Sequence, residues 1–98
     1  MNTKKFIPEI GEHVTILSHC GSEKPYTVVG YEKGKVIIQE CSLIFRGTRY
    51  YDTVADEVRP NPFGKKECLS WCSKFGYWHK RGKGLAVFGR WTHAPYCN

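Results

Sequence analysis

Short stretches of alternating apolar and polar residues run along most of the chain, with turn residues between them. "GEHVTILSH" leaves a Gly turn and passes through Val14, Thr15, Ile16 and Leu17. "HCGSEKP" reads as a loop by its Gly, Ser and Pro. "YTVVGYE" and "VIIQE" are rich in β-branched and aromatic residues and flank the tight turn "KGK". Tyr26 to Glu40 therefore reads as a β-hairpin whose Gly34 supplies the positive-φ turn residue. Further on, Leu43 to Phe45 and Arg49 to Tyr51 suit two strands about Gly47. "TVADEV" suits one helical turn or an exposed strand, and Pro60 and Pro62 keep "RPNPFG" out of any ladder or helix.

"KKECLSWCSKFG" admits two periods. Cys68, Cys72 and Phe75 recur at helical spacing, with Gly76 as a stop. Leu69, Trp71 and Ser73 equally share one face of a strand that turns at Phe75-Gly76 into "YWHK". The strand is the preferred reading. "GLAVFGRWTH", after Gly82 and Gly84, supplies a last strand. Short strands every 8–12 residues or about that, with turns between, predict an all-β chain. The expected fold is a small SH3-like barrel or a related compact antiparallel sheet, with at most one short helical turn. The 98 residues suit a single small β domain with one modest core. The Pro-rich connector separates residues 1–64 from residues 65–98 without marking a domain boundary.

Charge distinguishes those two parts. Residues 1–64 carry eight Lys/Arg and eight Asp/Glu, whereas residues 65–98 carry seven Lys/Arg against Glu67 alone. The whole net charge of +6 thus lies in the C-terminal part. Such asymmetry suits an anionic partner, with a merely solubilising face as the bland alternative. Hydrophobic content of 41% and charged content of 24% exclude a disordered tail. "MNTKKFIPEI" has no apolar signal region, and no run reaches the roughly 20 apolar residues of a membrane span. The expectation is a soluble protein of a reducing cytoplasm, with no membrane association. A barrel of this size suits either a monomer or a dimer.

Three motif pieces resemble a group of small phage-encoded all-β proteins, most of them without an assigned function. They are "YTVVGYEKGKVIIQ", "KFGYWHKRG" and "FGRWTHAPYCN". In that group a "YTVVxV…GK…I.VQ" hairpin precedes a "G-x-W-x-x-K-G" hairpin and a "LG.R…YYD" tail. The tail departs here, reading "HAPYCN". The resemblance implies a viral protein with an all-β fold, and it supports the strand reading of "CLSWC". Small phage accessory proteins often serve host takeover or the inhibition of bacterial defence, anti-CRISPR proteins among them. The group supplies no functional residues to carry over.

Two chemistries are weak on the residues. Cys68-x3-Cys72 and His93-x3-Cys97 offer four zinc ligands in two pairs. On a strand, however, residues four apart lie roughly 13 Å from each other, too far for one ion. Zinc therefore requires the helix, and no cofactor is expected. His19 and Cys20 would point to opposite faces of a strand, and Asp52 and Asp56 suit a solvated loop. No P-loop or dinucleotide fingerprint occurs, so no enzymatic activity is expected.

The strongest chemistry is "SKFGYWHKRGKG". Binding nucleic acid without sequence preference needs cations along the phosphates and flat rings under the bases. On the strand reading Trp78 turns inward, packed with Trp71 and Trp91, and the candidate surface comprises Lys74, Phe75, Tyr77, His79, Lys80, Arg81 and Lys83, with Arg90. Arg46 and Arg49, beside Tyr50 and Tyr51, form a second cluster that would extend it. The expected role is a non-enzymatic binding protein for nucleic acid, a nucleotide or the nucleic-acid channel of a host nucleoprotein. The alternatives are a protein–protein inhibitor docking by its exposed rings, a zinc-stabilised mini-domain, or rings that only brace a hairpin.

Overall fold

Every second residue of six strands points into a common interior. The computed structural model describes residues 5–18, 21–46, 54–80 and 84–93. Its strands are β1 (His13–Ser18), β2 (Glu23–Glu32), β3 (Lys35–Glu40), β4 (Ser42–Ile44), β5 (Glu57–Arg59), β6 (Lys66–Cys72), β7 (Tyr77–Lys80) and β8 (Gly84–Phe88). The order β1-β2-β3-β6-β7-β8 closes into a small SH3-like barrel, antiparallel throughout, with β8 returning to β1. Closure leaves none of these strands with an open edge. β4 and β5 form a separate two-stranded ribbon between β3 and β6.

The interior is built from Val14 and Ile16, Tyr26 and Val28, Val36 and Ile38, then Leu69, Trp78 and Ala86. Each pair is spaced by two, as the pleat requires. The β2–β3 turn places both Lys33 (φ 50) and Gly34 (φ 78) in the left-handed region. That geometry matches the twist of the flanking strands. The N-terminal segment crosses one end of the barrel. There the Phe6 ring stands edge-on to Trp71 at 5.7 Å and to Phe88 at 5.4 Å, and its carbonyl accepts the Trp78 Nε1 proton at 2.8 Å. The connector from β5 returns under Gln39, whose Nε2 donates to the carbonyls of Pro62 at 3.1 Å and Gly64 at 3.0 Å.

Gly84 opens β8 against β1. A Cβ there would meet the Leu17 carbonyl oxygen at 2.6 Å and Ile16 Cγ2 at 2.8 Å. The seam that closes the barrel has no room for a methyl group. Gly84→Ala is expected to cost about 1–3 kcal/mol, read as a lower urea midpoint at unchanged slope. An unchanged midpoint would show that the seam yields freely.

Two open alternatives are decided and two expectations need correction. "CLSWC" is strand β6, in agreement with the preferred reading, so the helical stripe of Cys68, Cys72 and Phe75 does not exist. The alternative of a helical turn near "TVADEV" fails likewise, because Val58 lies in β5 and no helix occurs among the described residues. β2 already starts at Glu23 and includes Pro25. Its ladder with β3 begins only at Tyr26, so the missing Pro25 N–H interrupts none of that pairing. Trp91 is not in the core: it stacks on His13 outside the barrel at 3.6 Å and donates Nε1 to the Tyr26 carbonyl at 2.7 Å.

Candidate nucleic-acid interface

With Trp78 fully buried, the alternation of β7 turns Tyr77 and His79 outward. Phe75 precedes them in the β6–β7 turn and is 66% exposed. The three rings make a ladder along the outer surface. The Phe75 and Tyr77 centroids lie 6.2 Å apart with planes at 22°, and those of Tyr77 and His79 lie 5.7 Å apart at 67°. On β6, Cys72 stands opposite Tyr77 and Ser70 opposite His79. These are short side chains, and Tyr77 and His79 are half-buried. The Lys74 ammonium lies 5.3 Å from the Phe75 centroid, a cation–π contact that holds its charge beside the ladder. Lys66 is exposed on the same outward register of β6 as Cys68, Ser70 and Cys72.

Among the described residues no carboxylate shares this face. Glu67, the sole acid after residue 64, points into the barrel beside Leu69. Its Oε2 accepts from the Tyr26 hydroxyl at 2.7 Å and from the Lys80 ammonium at 2.7 Å. Burial alone would raise the Glu67 carboxyl. The bonds from Lys80 and Tyr26, with the charges of Lys80 and Lys65, outweigh that and hold it below its ordinary range. Tyr26 is pushed up by burial and by its bond to Glu67. The one C-terminal acid is thus spent inside, and the exterior of β6, β7 and β8 keeps only neutral and basic groups.

The candidate cations divide. Lys74 stands with the rings. Lys80 lies on the opposite face of β7, turned inward to Glu67, and its ammonium is 5.9 Å from the Tyr26 centroid. It is not a free surface cation, because alternation places it in register with Trp78. Arg46 is on the ribbon, bound to Glu57, which Arg59 also holds at 2.9 Å. Arg59 and Arg46 together keep the Glu57 carboxyl below its ordinary range. Arg90 is exposed beyond β8, and its carbonyl accepts from Thr15 Oγ1 at 2.9 Å. Arg49, Arg81 and Lys83 lie outside the described residues, as do Tyr50 and Tyr51. The proposed joining of the two basic clusters therefore rests on Arg46 alone, and Arg46 is engaged elsewhere.

Zinc loses its geometric basis with the helix. Cys68 and Cys72 are free thiols four residues apart on one strand face. His93 sits by the ribbon, its Nδ1 3.2 Å from the Ala55 carbonyl. Cys97, His19, Cys20 and Asp52 lie outside the described residues. Among the described residues no group of three or more His, Cys, Asp or Glu side chains could hold a metal ion. No helix among them is long and apolar enough to cross a membrane.

Sequence reasoning missed Lys66 as part of this face. The alternation of "KECLSWC" carried the signal once Leu69 and Trp71 are placed inward. It also missed the Tyr26–Glu67 bond, which joins residues 41 apart and has no local signature. No protein family, curated protein or solved structure matches the chain.

Proposed function

We propose that this protein is a non-enzymatic binding module whose β6–β8 exterior engages nucleic acid. The observation that carries the reading is an outward ladder of three rings on a surface with no carboxylate among the described residues, with Lys74 beside it and Lys66 further along β6. Lysines on such a face neutralise phosphates and release counterions, and flat rings accept base faces. A basic surface is repelled by an empty basic channel. The target is therefore the nucleic acid itself, free or loaded on a host nucleoprotein. Interference with bacterial defence in the host cytoplasm, by a phage-encoded protein covering such nucleic acid, is the biological role in keeping with the resemblance of the hairpin motifs.

The test is fluorescence anisotropy of a labelled random-sequence RNA, titrated over a range of salt. The logarithm of affinity is expected to fall linearly with the logarithm of salt concentration. Lys66→Glu and Lys74→Glu are each expected to weaken binding and to reduce the slope by about one. No binding at low salt would refute the reading and leave docking by exposed rings onto a protein.

A further inference from the structure

We infer that the ring face takes a single strand with its bases splayed apart, one base to each of Phe75, Tyr77 and His79, and discriminates against duplex. This rests on the nucleic-acid reading above and adds the form of the ligand. The rings follow one another at 6.2 Å and 5.7 Å. The Tyr77–His79 spacing comes from the pleat, since they are alternate residues of β7, whereas Phe75 reaches Tyr77 from the turn, across Gly76 (φ 73). Along one strand of a duplex, successive bases are about 3.4 Å apart. Consecutive rings therefore cannot stack on consecutive bases of a duplex strand, whose faces are in any case covered by their neighbours. A single strand opens its base spacing by rotating its backbone, and every base offers a face to an aromatic ring.

The surroundings favour the same ligand. The residues opposite Tyr77 and His79, Cys72 and Ser70, are short, the two rings are half-buried, and Phe75 is exposed. Leu85 stands opposite His79 on the other side and is itself part-exposed, giving an apolar shoulder to the last position. Lys74 adjoins the Phe75 end, and Lys66 lies beyond Cys68 along β6. One cation thus adjoins the Phe75 end, and a second lies beyond the His79 end, four residues or roughly 13 Å from Ser70 along β6. A ligand with charge but no rings would use only the lysines. A duplex would use them too, and would leave the three rings facing its backbone.

The experiment compares four probes at low salt: a 12-nucleotide random single-stranded RNA, the same length of single-stranded DNA, a blunt duplex, and heparin as a ring-free polyanion. Both single strands are expected to bind at least tenfold more tightly than duplex or heparin. Tyr77→Ala is expected to lower single-strand affinity by about 5- to 150-fold, the range that corresponds to one lost base–ring stack. The salt slope should stay unchanged, because a stack releases no counterion. Tyr77→Leu, which keeps apolar bulk on the strand, should lose the same affinity, with the thermal midpoint of both variants read alongside. Equal binding of all four probes would overturn this inference while leaving the nucleic-acid reading standing on charge. Full single-strand affinity in a folded Tyr77→Leu variant would overturn it too. Failure of every probe to bind would instead remove the wider reading.

Discussion

Trp78→Ala is expected to lose about 3–5 kcal/mol of stability, the range for removing a large aromatic side chain from a packed core. A domain of this length has roughly 5–15 kcal/mol in total, so the variant would be barely folded or unfolded at 25 °C. Trp78 is 0% exposed and sits between Trp71 at 5.4 Å and Tyr31 at 6.3 Å. The Lys5 ammonium lies 5.1 Å from its centroid. Its Nε1 proton is bonded to the Phe6 carbonyl, which ties the N-terminal segment across the end of the barrel. Truncation therefore opens a cavity and releases that segment together. Chemical denaturation followed by far-UV circular dichroism reads the loss. Trp78→Phe is a useful contrast, because it retains most of the packing and removes the Phe6 bond; a loss of about 1–2 kcal/mol is expected. A Trp78→Ala protein with the original midpoint would place the core elsewhere.

Trp78 was legible because "GYWHK" lies on a strand, and period two leaves only one choice of faces once the larger ring goes inward. That same choice put Tyr77 and His79 outside. The β2–β3 hairpin was legible from "KGK", where the turn chemistry is local. Trp91 was not, because its position is set after Gly89 (φ 93), where the strand period ends. Its partners are His13 and the Tyr26 carbonyl, both far away in sequence. Lys80 shows the same limit from another side. Alternation put it with Trp78, but its composition-level charge made it resemble a surface cation. Only the barrel brings Glu67 and Tyr26 to it. The ribbon was half legible: β4 overlaps the expected Leu43 to Phe45 and pairs with β5, while Arg49 to Tyr51 lie outside the described residues.

Glu67→Ala is the second large effect, expected at about 2–3 kcal/mol. Breaking a buried ion pair from one side costs about 3–5 kcal/mol, because the remaining charge keeps its desolvation and loses its partner. Here both side chains retain some water contact, with 16% exposure for Glu67 and 21% for Lys80, which brings the cost to the bottom of that range and below it. The variant strands the Tyr26 hydroxyl as well as the ammonium. A Glu67→Met, Lys80→Met double variant should recover much of the loss, since neither charge is then left inside. The pH dependence has a definite sign. The Glu67 carboxyl is held low in the folded state, so the folded protein binds fewer protons there than the unfolded chain. Its contribution is present above the ordinary glutamate value of about 4.3 and disappears as pH falls through the lower folded value. The stability gap between the native protein and Glu67→Gln should therefore be widest near neutrality and close toward acid. A gap independent of pH would mean that Glu67 acts by shape and hydrogen bonding alone, with its charge stabilising nothing. A double variant no more stable than Glu67→Ala would mean that Tyr26, rather than Lys80, bears the loss.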